Sequence, residues 1–315
     1  MQANIRGRFA PTPSGRMHAG NVFAALMAWL DVRSCGGSLV LRIEDLDPRA
    51  QNPEATRLLL DDLRWLGLDW DEGPYYQSER ADVYKQALQE LQDQGLTYPC
   101  FCTRSELHAA TAPHASDGTY IYVGTCRNLS SEEVTYRRTK REPATRLRVP
   151  DKCNPAGTLS FTDLVWGPQT EVLACECGDF LVQRSDRVVA YQLAVVVDDA
   201  LMGVNHVVRG RDLLGSCARQ MYLQNLLGYD HPTYAHVPLL VDSTGRRLSK
   251  RDRDLDLGEL RSELDGPEKL LGMLASCVGL AEKGEAASAQ VLAERFSWEA
   301  IRSYARQGDV IVKEE

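Results

Sequence analysis

The stretch "GRFAPTPSGRMHAGN", residues 7–21, constrains the fold more than any other. It crowds prolines and glycines between a short strand-like segment, Ile5 to Phe9, and "NVFAALMAWLDVR" from Asn21, which is apolar nearly all round. A helix without a polar face must be buried, so glycine punctuation leading into one predicts a first β–α unit. "SLVLRIED" (38–45) follows, with Leu39, Leu41 and Ile43 on one strand face. Leu59, Leu63 and Leu66, then Ala81, Tyr84, Leu88 and Leu91, recur at helical spacing. Strand, helix, strand, helix predicts βαβ units and a parallel sheet, an α/β fold.

The rhythm breaks near residue 98, where Thr, Ser, Gly, Pro and Cys replace the long helical patterns. "AVVVDD" (194–199) reads as a strand buried on both faces, and "HVPLLVD" (236–242) as a later one. The expected organisation is a Rossmann-type domain in two halves, 1–98 and 181–242, split by an insertion, 99–180. A polar loop and a small C-terminal helical region, 243–315, complete it. With 43% hydrophobic residues in 315, the chain can bury a large core. No apolar run resembles a signal peptide or a bilayer span, so a cytoplasmic protein is expected. Nine cysteines in such a chain favour free thiols and a metal site over a disulfide framework. At a net charge of −8, any nucleic-acid surface has to be local.

Glycines allow backbone N–H groups to approach a ligand, and a helix N-terminus adds unpaired N–H groups and a positive dipole end. "SGRMHAGN" is therefore either an ordinary turn into a helix or a phosphate cradle with His18 as a donor. "GRRLSKRD" (245–252), far downstream, favours the cradle: it supplies arginines, a serine and Lys250 in a glycine-hinged loop. Facing such a turn across a parallel sheet, these groups suit transfer at a nucleotide α-phosphate, where charge builds on oxygens and on leaving pyrophosphate.

"HAGN" (18–21) and "RLSKR" (247–251) resemble the HIGH and KMSKS signatures of class I aminoacyl-tRNA synthetases. The flanking "RFAPTPSG", "RIEDLDP", "LRWLGLDWDEGPYYQSER" and "YQLAVVVDD…VVRGRDLL" resemble the glutamyl subgroup, over residues 6 to 255 or so. Asn21 replaces the second histidine of HIGH, and Arg247 the first lysine of KMSKS. The resemblance implies ATP with Mg2+ held by His18, Gly20, Asn21, Arg247, Ser249 and Lys250, with His18 and Lys250 catalytic. It implies L-glutamate held by Arg8, Phe9, Ala10, Pro11, Thr12, Glu44, Tyr191 and Arg209, with Glu44 on the ammonium. Elementary chemistry makes the same demand, since two carboxylates and an ammonium want at least two cations and one carboxylate. Arg8, Arg209 and Glu44 stand at strand ends, the ligand-binding edge of a parallel sheet.

Cys100 and Cys102 form a C-x-C pair, with Cys126 beyond, and three soft thiolates suit a structural zinc that wants a fourth ligand. The pattern C-x-C…Y-x3-C resembles the zinc-bearing insertion of certain glutamyl-type enzymes, which implies Tyr122 as that ligand. On chemistry alone His114 is the natural choice, with His108 and Tyr120 as rivals. Cys175 and Cys177 are a second pair, expected at a polar hairpin tip. "YRRTKREPATRLR" (136–148) sets six basic residues against one acid, either a solvated strand face or an RNA-backbone contact.

Residues 252–315 are too few for the long helical anticodon-binding region of a full glutamyl-tRNA synthetase. The chain thus resembles the truncated glutamyl-Q tRNA(Asp) synthetases, which implies activation without tRNA and transfer to queuosine. The implied partner is a tRNA(Asp) anticodon stem-loop bearing queuosine; no membrane partner is expected, and the chain is expected to be a monomer. Two other readings stay open: a shortened glutamyl-tRNA synthetase acting at a 3′ end, and a catalytically silent glutamate- or RNA-binding paralogue.

Overall fold

The computed structural model describes residues 5–107, 121–241, 256–306 and 308–311. Its first strand, β1 (Arg6–Phe9), leads through the proline–glycine stretch into α1 (Ala19–Arg33). The His18 side chain caps this helix, and α1 is buried on every side from Val22 to Val32 except at Ala24. Gly7 permits that burial, because a Cβ there would lie 2.5 Å from a Val32 methyl. Then come β2 (Ser38–Ile43), α2 (Pro53–Trp65), β3 (Glu72–Tyr76) and α3 (Ala81–Asp93), with β1, β2 and β3 side by side and parallel.

After β4 (Thr97–Cys100) the elements shorten: α4 (Arg104–Leu107), α5 (Ser131–Arg138), β5 (Ala144–Leu147), β6 (Thr158–Asp163), β7 (Gly167–Val172), α6 (Leu173–Glu176) and β8 (Phe180–Gln183). The longer ones return with α7 (Tyr191–Leu201), β9 (His206–Gly210), α8 (Cys217–Leu227), β10 (Thr233–Val237) and β11 (Leu240–Val241). The C-terminal part is α9 (Leu257–Glu263), α10 (Pro267–Ser276), α11 (Ala289–Arg295), α12 (Trp298–Ala305) and β12 (Val310–Ile311), which pairs with β11.

Strands β7, β6, β10 and β9 form a second sheet in that order, with β10 parallel to both its neighbours. Its β9 edge meets β1: Asn205 N–H donates to Arg6 O (2.9 Å), and Arg6 N–H to Asn205 Oδ1 (2.8 Å). The two sheets therefore meet where strand order reverses, from β1–β2–β3 on one side to β9–β10 on the other. In open α/β sheets, ligands bind in the crevice at such a reversal, beyond the carboxyl ends of the strands. β6 and β7 come from the 99–180 segment, yet they extend the sheet that carries β9 and β10.

Period-two alternation sorts the strand side chains between two cores. Leu39, Leu41, Ile43, Val208, Ala235 and Val237 pack with α1 and the C-terminal helices. Val40, Val207 and Tyr234 pack with α3, α7 and α8. Arg8, Arg42, Arg209 and His236 share the parity of this second set, so the sheet itself gathers their charges near one end.

Two sequence expectations are corrected here. "AVVVDD" is not a strand but lies inside α7, where Leu193–Asp199 are all buried. A short apolar run enclosed on all sides has the same pattern in either conformation, and length alone separates them. Cys175 and Cys177 are not at a hairpin tip: Cys175 is in α6, and the buried Cys177 thiol bonds Leu173 O (3.4 Å) and Gly178 O (3.2 Å). "YRRTKREPATRLR" divides as well, its start ending α5 and its end lying in β5, with Arg146 buried.

Candidate active site and cysteine cluster

A cleft of about 650 Å3 opens at the reversal point. Arg8, Phe9, Ala10, Pro11, Thr12, His18, Gly20, Asn21, Glu44, Tyr191 and Arg209 all line it, so the sequence-derived candidates converge from β1, α1, β2, α7 and β9. Arg247, Ser249 and Lys250 lie outside the described residues. The ends of their segment are both at the cleft, however. Leu239 and Leu240 line it, while Asp256 bridges His18 and Leu257 N–H donates to Met17 O (3.0 Å).

His18 Nδ1 accepts from Gly20 N–H at 3.1 Å, and Asn21 Oδ1 accepts from His18 N–H at 3.4 Å. This reciprocal cap keeps Nδ1 bare, so the neutral ring carries its proton on Nε2. An N–H donor thus stands at the positive end of the α1 dipole. Gly20 suits the position because a Cβ there would lie 3.0 Å from the imidazole.

Beneath the cleft is a buried charge cluster. Arg42 bonds Asp199 (2.7 Å) and lies 3.4 Å from Glu44 and 3.5 Å from Asp198. Asp198 also accepts from Arg80, Gln77 and Tyr84. Sequence reading missed this support. A signal for it was present, since two acids ending the apolar "AVVVDD" need buried partners.

Neither cleft arginine has a described carboxylate as close as the 2.7 Å between Arg42 and Asp199, although the buried Nε of Arg42 also makes no hydrogen bond. Arg8 donates to Val208 O (3.0 Å) and lies 3.6 Å from Asp199, but its buried Nε makes no hydrogen bond. Burial holds its pKa below the ordinary value, with Asp199 only partly opposing it. Arg209 donates through Nε to His236 Nε2 (2.9 Å) and through Nη2 to Leu213 O (3.2 Å) and Cys217 Sγ (3.2 Å), while its buried Nη1 has no hydrogen-bond partner among the described residues. Glu44 shows the converse: burial pushes its pKa up, although Arg42 and Arg8 oppose the rise. Burial also raises the Tyr191 hydroxyl, keeping it a neutral donor. Unsatisfied buried donors beside a half-compensated carboxylate suit a ligand with both anionic and cationic groups.

The second constellation is at the end of β4. The thiols of Cys100, Cys102 and Cys126 lie within 4.8 Å of one another. The Tyr122 hydroxyl is 3.6 Å from Cys100 Sγ and 3.7 Å from Cys102 Sγ, and Cys102 Sγ is 3.6 Å from Cys126 Sγ. Zinc–sulfur bonds of about 2.3 Å in a tetrahedron put ligand atoms roughly 3.7 Å apart, so these spacings fit one ion. Arg146 donates to Cys100 Sγ (3.2 Å) and lies 3.7 Å from the Tyr122 ring centre. Burial raises the Cys100 thiol, but Arg146 and the Tyr122 hydrogen bond outweigh it and bring the pKa below the ordinary value. His108, His114 and Tyr120 lie outside the described residues, and Cys175 and Cys177 join no metal-capable group among those described.

Comparison with known proteins agrees with this geometry. The family model "tRNA synthetases class I (E and Q), catalytic domain" matches residues 4–303. The glutamyl-Q tRNA(Asp) synthetase of Nitratidesulfovibrio vulgaris is 48% identical, over 88% of this chain and 87% of its own length. That of Symbiobacterium thermophilum is 47% identical, over 89% and 88%. Among solved structures, the glutamate-tRNA synthetase of Elizabethkingia anophelis superposes with a TM-score of 0.81 at 26% identity, over 98% of this chain and 68% of that one. The chain belongs to the class I (E and Q) tRNA synthetase family and, within it, to the family of glutamyl-Q tRNA(Asp) synthetases.

Proposed function

We infer that the protein activates L-glutamate with ATP and passes the glutamyl group to queuosine at the wobble position of tRNA(Asp). The observation that carries this reading is the buried Arg209 Nη1, which has no hydrogen-bond partner among the described residues, in a cleft shared with Arg8 and Glu44. Glutamate answers them, with carboxylates on the arginines and its ammonium on Glu44. Phe9, Ala10, Pro11, Thr12 and Tyr191 form the rest of its wall.

ATP takes the α1 end of the cleft, its phosphates on the helix N-terminus and the His18 Nε2 proton, with Gly20 and Asn21 beneath. Mg2+ accompanying ATP supplies further charge neutralisation on the phosphates. A glutamate carboxylate oxygen attacks the α-phosphorus, the bond to pyrophosphate breaks, and glutamyl-adenylate forms. Lys250, Arg247 and Ser249 receive the charge that develops on the leaving pyrophosphate. A queuosine hydroxyl then attacks the acyl carbon, and AMP leaves.

All these groups belong to one chain, so glutamate-dependent ATP–pyrophosphate exchange should proceed without any tRNA. Exchange that begins only when tRNA is added would favour the shortened glutamyl-tRNA synthetase. Absence of exchange under both conditions would favour the silent paralogue.

Zinc belongs to the same proposal: Cys100, Cys102, Cys126 and Tyr122 would hold one ion. It would tie β4 to the 121–126 segment, where the described residues form a small core of Tyr98, Cys100, Phe101, Tyr122 and Cys126. Elemental analysis should find one zinc per chain, lost in Cys126→Ser and released sooner to a chelator in Tyr122→Phe. A full complement in the Cys100→Ser/Cys126→Ser variant would overturn the assignment. The RNA would approach over exposed Arg138, Lys140 and Arg141, with the 66% exposed Tyr136 ring beside them for stacking.

A further inference from the structure

Arg209, His236 and Asp163 form a row across three adjacent strands. In the ladder, Arg209 on β9 is the direct neighbour of His236 on β10, and Asp163 ends β6 on the far side of β10. His236 Nδ1 is 2.6 Å from Asp163 Oδ2, and its Nε2 is 2.9 Å from Arg209 Nε. Arginine has no acceptor, so the second contact requires a bare Nε2 and puts the ring proton on Nδ1, pointing at the carboxylate. The carboxylate is itself immobilised, since Oδ1 accepts from Val165 N–H (2.9 Å) and Trp166 N–H (3.0 Å). Trp166 Nε1 in turn holds His236 O at 2.8 Å. All three side chains of the row are buried, so no bulk water competes for these bonds.

We propose that Asp163 and His236 are positioning residues for Arg209: Asp163 selects the His236 tautomer, and His236 orients the guanidinium so that Nη1 meets the substrate carboxylate. The inference rests on the reading of Arg209 as a glutamate-binding residue. It also gives the segment beyond the zinc cluster a part in amino-acid recognition, because Asp163 comes from that segment. Neither residue touches substrate, so both act through Arg209.

Asp163→Asn is the discriminating substitution. It is isosteric, and its Oδ1 can still accept from Val165 and Trp166. Its amide N–H2 faces His236, however, and favours the tautomer with Nδ1 bare and Nε2 protonated. Two donors then confront each other at Arg209. In ATP–pyrophosphate exchange, the glutamate KM should rise roughly tenfold to a hundredfold, while the ATP KM stays within about twofold. His236→Gln supplies an amide acceptor in place of Nε2 and has no tautomer to invert. In that background, adding Asp163→Asn should change the glutamate KM by less than about threefold. Nitrogen NMR of histidine-labelled protein should show His236 protonated at Nδ1 in the parent and at Nε2 in Asp163→Asn.

An unchanged glutamate KM in folded Asp163→Asn would overturn the proposal, as would equal effects of that substitution in both backgrounds. A parallel rise of both KM values would also overturn it, marking a general structural role. The underlying reading is tested separately with Arg209→Lys. If that variant keeps the parental glutamate KM, Arg209 does not grip the substrate, whatever Asp163 does.

Discussion

Labelled glutamate should pass to bulk tRNA from queuosine-competent cells and stay off tRNA from cells that cannot make queuosine. The difference is all-or-none because it concerns the nucleophile. Class I chemistry ends with a hydroxyl attacking an activated acyl group, and the cyclopentene-diol of queuosine presents vicinal hydroxyls much as a terminal ribose does. Guanine in the same place offers none. A single-stranded anticodon loop also allows its wobble base to be splayed out and read in a pocket, as single-stranded RNA recognition commonly requires. An anticodon stem-loop of tRNA(Asp) carrying queuosine should therefore suffice as acceptor. Equal labelling of both tRNA pools, or periodate protection mapping to the 3′ ribose, would replace this reading with 3′-end charging. The relatives point the same way, since the glutamyl-Q tRNA(Asp) synthetases of Nitratidesulfovibrio and Symbiobacterium are 48% and 47% identical to this chain, against 26% for the Elizabethkingia glutamate-tRNA synthetase.

Lys250→Ala should slow glutamate activation by on the order of a hundredfold, about 3 kcal/mol, with little change in glutamate KM. In the role proposed for Lys250, the charge it answers develops mainly as pyrophosphate departs, so the loss would belong to the transition state and appear in kcat. The described residues on either side of the segment that carries Lys250 stand at the cleft: Leu240 lines it, Asp256 bridges His18, and Leu257 N–H donates to Met17 O. Arg209→Ala should show the opposite split: in its proposed role it grips glutamate throughout, so its loss should raise KM most. Single-turnover adenylate formation separates the two, and a Lys250→Ala enzyme with normal turnover and weak glutamate binding would refute the assignment.

What was legible in the sequence is what local chemistry encodes. The prolines, glycines and histidine before an all-apolar segment specify β1, α1 and the cap between them. Arg8, Glu44 and Arg209 stood out because charge at the end of an apolar strand needs a reason, and the structure gathers all three around one cleft. α7 was misread because burial on all sides erases the period that separates helix from strand. Asp163 stayed hidden for another reason: it sits in a Ser- and Thr-rich segment without a motif, and its partner is 73 residues away. His236 gave a faint signal as the one titratable residue between Tyr234 and Leu240, but only the pairing of β10 with β9 gives it a neighbour.

The pairing of β6 with β10 also sets the rules for recombination within this family. Residues 99–180 cannot be exchanged as a cassette, because the exchange would carry Asp163 out of the sheet that holds His236 and Arg209. The portion between β4 and β5 is different: it holds Cys102, Tyr122 and Cys126, and its described residues add no strand to the β9–β10 sheet. Crossovers on either side of that portion would leave the cleft, and Cys100 on β4, with one parent and take Cys102, Tyr122 and Cys126 from the other. The modular boundary of this protein thus runs through residues 99–180, between the part that carries most of the cysteine cluster and the part that completes the sheet.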